Sequence, residues 1–389
     1  MHKKLMAVAV AGTLAAPLLA VAQSTVQIYG RVTYEYGVAD GGDRYDSTDY
    51  ADTPGGSAIG FKGVESLGGG MSAWFQCETS ADIRGFDTVG LCSRNSAVGF
   101  RGGFGNLYFG KWDTPMKKAL NVGTVGGEET GILGMSFLPF GGSGGTSSSP
   151  DASGSGGLSR ERWKRRETCL TTYDTPSWGG FQLMGAVSCK NRPFDEGLSD
   201  GVANSDTRIW SVAASYVNGP FGIAAGYEEH KNFGAIGDPT GGKSDKGYGG
   251  GISWTFGKSV QVGATYLRRE WELLGGDLKK DTATIGVEWA IAGPHEIHAQ
   301  YAWAGDSKGG ADVGLGGRGG APAPGGGTGA DAFSIAYQYA FSKRTTIKFG
   351  YTRVSNDSNS TSYYLGNAPR PLDGGENLDA YAFLIKHNF

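Results

Sequence analysis

The feature that most constrains this chain is a series of strand-like segments joined alternately by short and long connections. From Thr25 onward apolar and polar residues alternate with period two, which is typical of a strand with one apolar face. Short turns fall at 66–70, 103–106, 176–180, 218–220, 257–258, 292–295 and 342–343. Long polar connections fall at 40–56, 80–90, 115–163, 191–207, 231–247, 305–332 and 355–377, with a shorter one at 275–281. We count about 16 strands, and this pattern is typical of a transmembrane β-barrel.

Residues 1–22 are predicted to be a secretory signal peptide. Lys3 and Lys4 precede an apolar run that ends at Leu19, and Ala20-Val21-Ala22 forms a small-residue cleavage site. A buried apolar strand or helix is the alternative interpretation. No later run approaches the roughly 18 to 20 apolar residues that a spanning helix needs. The remaining classes are a secreted soluble protein and a transmembrane barrel.

Composition favours the barrel. The chain has 69 glycines, 12% aromatic residues and 39% hydrophobic residues, without an apolar block. Alternating lipid-facing and water-facing residues produce such a composition. Without Lys3 and Lys4, 33 of the 35 basic residues remain against 38 acidic ones, which gives a net charge of about −5 and no support for nucleic-acid binding. The predicted fold is an all-β, 16-stranded antiparallel transmembrane β-barrel over residues 23–389, with a soluble all-β protein as the alternative.

Aromatic residues fall mostly toward the predicted strand ends, where amphipathic rings prefer the membrane interface. The set comprises Tyr34, Tyr36, Trp74, Trp112, Trp178, Trp210, Trp254, Trp271, Trp289, Tyr301 and Trp303. Each ring alone is weak support, because soluble strands also carry aromatic residues in their cores.

Several motifs in order along the mature chain carry a family resemblance. They are QSTVQIYGRV, GFKGVESLGGGMSAWFQCE, SRNSAVGFRGGFGNLYFGK, TTYDTPSWGGFQLMGAV and the closing LDAYAFLIKHNF. With these motifs the chain resembles the general, trimeric porins of Gram-negative outer membranes, in the branch common in β-proteobacteria. The resemblance implies a homotrimer in outer-membrane lipid and lipopolysaccharide, and a third external loop folded inward. It also implies that Phe389 is a signal read by the outer-membrane barrel assembly machinery.

The third long connection, residues 116–162, corresponds to the constriction loop of that family. Its segment Leu138-Pro139-Phe140-Gly141-Gly142 resembles a family turn, Pro-Glu-Phe-Gly-Gly, but lacks the glutamate. The acidic side of the constriction is therefore assigned to Glu128, Glu129 or Asp151, without a ranking among them.

The basic side of the constriction is assigned to Arg31, Arg94, Lys111 and Arg166. Arg31 lies on the polar register of the first strand, and the other three match basic positions of the family. Ala58 occupies a position where the family commonly has arginine, which weakens the case for strong anion selectivity. Rings of charge in a narrow neck bias which ion enters. The alternative role for each residue is an ordinary salt bridge in the lumen or at the rim.

The four cysteines predict two disulfides in an exported chain. Cys169 and Cys189 lie on consecutive strands at similar distances from their turn, so a cross-strand bridge is favoured over free thiols. Cys77 and Cys92 flank the 80–90 connection. Their pairing is favoured too, although strand alternation puts Cys77 outward and Cys92 inward.

The predicted function is passive diffusion of ions and small hydrophilic solutes through an outer-membrane channel, without catalysis, cofactor or metal. A substrate-selective channel on the same scaffold is one alternative. An outer-membrane barrel enzyme is another, and it would need a catalytic set. Histidine is scarce in the mature chain, which has only His230, His295, His298 and His387.

Overall fold

The structure is a computed structural model that describes residues 25–41, 47–53, 56–85, 90–127, 131, 134, 163–190, 208–232, 243–273, 276–309, 325–360, 363 and 374–389. Its strands are β1 Thr25–Asp40, β2 Thr48–Asp52, β3 Ala58–Gly68, β4 Met71–Ser80, β5 Ser96–Gly102, β6 Gly105–Asp113, β7 Arg166–Asp174, β8 Phe181–Ser188, β9 Arg208–Asn218, β10 Phe221–Lys231, β11 Asp245–Phe256, β12 Val260–Leu273, β13 Gly276–Ala292, β14 His295–Ala304, β15 Lys308–Gly309, β16 Ala330–Ala340, β17 Thr345–Asn356 and β18 Asn377–Asn388. Helix α1, Pro115–Gly123, follows β6. The predicted signal peptide lies outside the described residues.

The sheet closes on itself. β1 pairs antiparallel with β3 on one side and with β18 on the other. Antiparallel pairing with neighbours continues around the wall, except that β2 pairs with β1 and the short β15 with β13. Sixteen strands form the wall, so the predicted barrel is confirmed. Among the described residues, no helix has both the length and the apolarity to cross a membrane.

Alternation gives the wall two different faces. Val26 and Ile28 are each 61% exposed, whereas Thr33 and Glu35 on the other register of β1 are fully buried. Exposed apolar side chains recur around the outer face, including Val98, Phe109, Ile223, Ile252, Ile285 and Phe349. An apolar outer band with polar residues on the other register is the arrangement expected of a barrel surrounded by lipid.

The short turns lie where the sequence predicts them, and Gly219 and Gly257 adopt positive φ angles of 57° and 60° in two of them. The predicted connection at 275–281 is wrong. β12 and β13 stay paired through Trp271 and Leu278 and as far as Leu273 and Gly276. β13 therefore occupies residues 276–281 of the predicted connection, and Leu278 is fully buried there.

Candidate functional site

Helix α1 begins directly after β6, inside the segment predicted as a loop without regular structure. The Thr114 hydroxyl accepts a hydrogen bond from the Lys117 backbone N–H at 3.3 Å, and Pro115 occupies the first turn. Both features favour a helix start. Met116, Ala119 and Leu120 are fully buried and share one face of the helix because of their spacing.

The buried face of α1 packs on strands β9 to β12, which we call the covered wall. The Met116 backbone N–H donates to Ser211 Oγ at 3.0 Å. Ser211 alternates with Trp210 and Val212, which are 44% and 52% exposed. α1 therefore lies on the face opposite the apolar outer band.

Glycine permits this close approach. A Cβ at Gly251 would collide with the backbone of Gly123, and one at Gly286 would collide with the carbonyl group of Val125. Polar contacts continue past the helix, since Gln300 Nε2 donates to the Val125 carbonyl at 3.2 Å. Because these wall residues have no side chain, α1 and the residues after it can pack closely against the strands.

Arg31 and Arg94 lie together on the wall formed by β1 and β3 to β6, which we call the open wall. Arg31 Nε donates to the Gly56 carbonyl at 2.8 Å, and a side chain at Gly56 would collide with the Arg94 guanidinium. Arg94 Nε pairs with Glu78 Oε1 at 2.6 Å, and the Tyr29 hydroxyl donates to Glu78 Oε2 at 3.1 Å. The basic pair is therefore partly neutralised by a carboxylate on the neighbouring strand.

Arg166 lies near the start of α1. Its Nε donates to Asn95 Oδ1 at 2.5 Å and lies 3.5 Å from Asp113 Oδ1. Asp113 also pairs with Lys117 of the helix at 3.1 Å. Arg166 and Lys117 thus share one carboxylate, which ties β7 to the first turn of the helix.

Lys111 is different. It pairs with Ser96 across β5, and it lies between Gly110 and Trp112 in β6. Trp112 packs against Trp74 and Tyr108, so alternation puts Lys111 on the register of the 42%-exposed Phe109. This register is the outward one, not the pore side that the sequence predicted for Lys111.

The whole predicted acidic side and the predicted turn of the constriction loop fall outside the described residues. This applies to Glu128, Glu129, Asp151 and the turn residues Pro139, Phe140, Gly141 and Gly142. Ala58, at the position where the family commonly has arginine, faces Arg31 across β1 and β3 and is 4% exposed.

Three aromatic rings on the inner register were not recognised as a site from the sequence. The rings of Trp74, Tyr108 and Trp112 lie with their centroids 5.4 to 5.6 Å apart. Trp74 and Trp112 were predicted at the membrane interface, and that prediction is wrong, as it is for the fully buried Trp271. The alternation of Trp74 with Gln76 and Glu78 was the available signal, because these polar residues mark the inner register.

Lys118 of α1 joins this region to the helix. Its Nζ donates to the Tyr108 hydroxyl at 2.7 Å and to Asp174 Oδ2 at 2.8 Å. The first turns of α1 are therefore fastened to β6 and β7 by Lys118, as well as to the covered wall by Met116.

Both predicted disulfides are present. Cys77 joins Cys92 with Cα atoms 4.7 Å apart, and Cys169 joins Cys189 with Cα atoms 5.5 Å apart. Cys92 precedes β5 and has a φ of 59°, so strand alternation does not extend to it. This explains how a cysteine assigned to the inner register bonds to one on the outer register.

The connection after β4 carries a buried ion-pair network. Arg84 pairs with Asp82 at 2.6 Å and with Asp52 of β2 at 3.1 Å. The hydrogen bonds from Arg84 hold the pKa of Asp82 below its usual range. In contrast, burial raises the pKa of Asp52.

No group of three or more histidine, cysteine, aspartate or glutamate side chains in the described residues is placed to hold a metal ion. The absence of cofactor and metal stays a prediction.

Comparison with known proteins identifies the family. A family profile described as Gram-negative porin matches residues 7–359. Outer membrane porin protein 32 of Delftia acidovorans is 28% identical over 409 residues, which cover 100% of both chains. Two solved structures are similar. An anion-selective porin from Comamonas acidovorans has a TM-score of 0.72 at 22% identity, covering 94% of this chain and 100% of the other. OmpF of Salmonella typhi has a TM-score of 0.58 at 15% identity, and the match covers 94% of this chain and 98% of OmpF. The chain belongs to the Gram-negative porin family and forms an outer-membrane channel for passive diffusion.

Proposed function

We propose that ions and small hydrophilic solutes cross this channel through a neck between α1, with the loop that follows it, and the open wall. The observation that carries the proposal is the position of α1, which packs over the inner register of β9 to β12. On another part of the wall, Arg31 lies on the inner register of β1 and Arg94 pairs with Glu78 of β4. A neck of this kind narrows the water-filled path and leaves charge on one side of it.

The neck is weakly anion-selective in this proposal. Arg31, Arg94 and Arg166 supply basic groups, but Glu78 and Asp113 offset part of their charge, and Ala58 adds none. Glu128, Glu129 and Asp151 are the proposed acidic side. The related Comamonas acidovorans structure is described as anion-selective, which supports the sign of the preference.

Reversal potentials across a planar bilayer in a salt gradient test this proposal. We expect a small anion preference that decreases in Arg94→Ala and in Arg166→Ala. Unchanged selectivity in both variants would reject the assigned basic side.

The assembly of the protein is also a proposal. Residues 1–22 would direct export, and the barrel would assemble as a homotrimer in lipid and lipopolysaccharide. Phe389 exchanges two backbone hydrogen bonds with Gly30, at 3.0 and 3.2 Å, and its side chain is 46% exposed. An accessible terminal aromatic ring supports its role as a signal for the barrel assembly machinery. Deletion of Phe389 should lower the amount of trimer in the outer membrane.

Two other functions remain testable on the same protein. A substrate-selective channel would show saturable block by its solute. An enzyme would hydrolyse a substrate and lose this activity on substitution of one histidine. Porins as a family are diffusion channels, so the purified protein should conduct ions without hydrolysing esters or peptides.

A further inference from the structure

A cavity of about 340 Å³ lies against β1 and β3 to β6 of the open wall. Its lining includes Trp74 and Trp112 together with polar side chains of the inner register, namely Gln27, Lys62, Gln76, Arg101 and Asn106. Cross-strand pairing brings these residues together, since Gln27 faces Lys62, Lys62 faces Gln76, and Arg101 faces Asn106. The cavity thus combines two indole rings, two cations and several amides on one patch.

The two tryptophans are held in place before any solute arrives. Trp74 Nε1 donates to Asn106 Oδ1 at 2.8 Å, which fixes the orientation of its ring. Trp74 and Trp112 meet at an interplanar angle of 71°, and both rest on Tyr108, which is only 2% exposed. Both tryptophans are themselves half-buried and border the cavity. Rigid aromatic surfaces bind a third ring at little cost in conformational entropy.

The two cations of the cavity, Lys62 and Arg101, make weak contacts with neighbouring side chains. Lys62 Nζ lies 4.8 Å from the centre of the Tyr29 ring, and Arg101 Nε makes a long contact of 3.4 Å with Ser72 Oγ. Within the described residues neither cation is in an ion pair. Asp174, on the strand next to Asn106, is already bound by Lys118. A carboxylate entering the cavity would meet positive charge that no carboxylate in the described part of the chain pairs with.

We propose that this cavity is a binding subsite for small aromatic carboxylates, with the ring against Trp74 and Trp112 and the carboxylate toward Arg101 and Lys62. Arginine binds carboxylates with two parallel hydrogen bonds, and the indole rings accept the ring of the solute. Amides such as Gln27 and Gln76 complete a polar rim. The subsite rests on the proposed function, because these inner-register side chains face a solute that passes through the lumen. It adds a local preference to a channel that otherwise discriminates by size and charge.

Current block in a planar bilayer tests the subsite. The probes are benzoate, cyclohexanecarboxylate with the same charge and a similar size, and benzamide with the ring but no charge. We expect benzoate to reach half-block at a concentration at least fivefold lower than either of the other two. Equal block by benzoate and cyclohexanecarboxylate would overturn the role of the rings, and equal block by benzoate and benzamide would overturn the role of the cations.

Two variants locate the effect. Trp112→Leu and Arg101→Gln should each raise the half-blocking concentration of benzoate at least threefold. Trp254→Leu, on the outer face and 43% exposed, and Arg344→Gln, in the turn before β17, are matched controls that should leave it unchanged. Unchanged benzoate block in Trp112→Leu and Arg101→Gln would reject this cavity.

If a variant fails to fold, the comparison of the three probes on the wild-type protein still decides whether the subsite exists. Absence of any ion current in the wild type would refute the proposed channel instead.

Discussion

The covered wall and the open wall have the same strand geometry but differ in the inner residues that they present. On the covered wall, β10 to β12 present Gly226, Gly249, Gly251 and Gly263 where α1 and the residues after it approach, and Gly286 does the same on the adjacent β13. The open wall presents Arg31, Lys62, Trp74 and Arg94 instead. Under α1 and the residues after it the inner face keeps polar groups such as Ser211 and Gln300, but glycine lies at the points of closest approach. At these glycines the absence of a side chain lets the backbone of the wall contact the backbone of α1 and of the residues after it.

Adding a side chain to the covered wall should have the largest effect. Gly251→Leu would drive a side chain into the backbone of Gly123, which cannot yield as a flexible side chain would. We expect a loss of about 1–3 kcal/mol of stability from overpacking, or displacement of α1 with a larger single-channel conductance. Heat unfolding in detergent and bilayer conductance measure the two outcomes.

Gly185→Leu is the control, because a Cβ there would meet no atom within 4 Å. If Gly251→Leu matched Gly185→Leu in both measurements, the packing of α1 on the covered wall would be refuted.

Breaking the link from α1 to β6 and β7 should have the next largest effect. Lys118→Met leaves Asp174 and the Tyr108 hydroxyl without their cationic partner. We expect a loss of about 1–2 kcal/mol, since these hydrogen bonds involve charged groups that are mostly buried. Chemical unfolding followed by tryptophan fluorescence measures this loss. Lys118→Arg should recover part of it, and a Lys118→Met protein as stable as the wild type would contradict the link.

Removing charge from the open wall should change selectivity more than stability. A unit charge about 4 Å from an ion in water contributes about 1 kcal/mol. The anion-to-cation permeability ratio should therefore fall by no more than about fivefold in Arg94→Gln. Lys111→Gln, on the outward register, should leave the ratio unchanged. An equal fall in both variants would place Lys111 in the pore and contradict the register of β6.

The smallest effect is expected at the network that joins β2 to the connection after β4. The lowered pKa of Asp82 means that its pairing with Arg84 stabilises the fold above the unfolded pKa, near 3.9. This stabilisation is lost as the pH falls through the folded value, which lies lower. Asp82→Asn should cost about 0.5–1 kcal/mol at pH 7, because Arg84 keeps Asp52 as a partner, and less at pH 2. Unfolding midpoints at both pH values provide the check, and an equal cost at both would exclude an ionic origin.

Much of the barrel could be predicted from the sequence because each strand meets lipid on one face and water on the other. Apolar and polar residues therefore alternate along it. Val26 and Ile28 alternate with polar residues whatever the distant strands do, so ten residues are enough to recognise β1. The cysteine pairs were also predictable, since each pair flanks one connection. The junction of β12 and β13 was missed because Leu278 and Lys280 continue the strand where polar neighbours indicated a loop.

The candidate site was less predictable because it depends on which side chains from distant segments approach one another inside the barrel. Thr114-Pro115 and the spacing of Met116, Ala119 and Leu120 were signals for α1, but they lie at the start of a long segment without strand pattern. The aromatic cluster could not be found from Trp74 and Trp112 alone. A ring near the end of a strand is compatible with the membrane interface or with the lumen, and only the register of the whole strand distinguishes them.

The pairing of β1 with β18 has a consequence for how the protein is made. The register of the two strands joins Arg31 to Asn388, so the contact that completes the wall spans almost the whole chain. Until that contact forms, the sheet has two edges with unsatisfied backbone groups, which lipid cannot hydrate and which other chains can extend. Contacts of such large sequence separation form slowly. The unclosed wall is therefore exposed to lipid and to other chains until β18 has met β1.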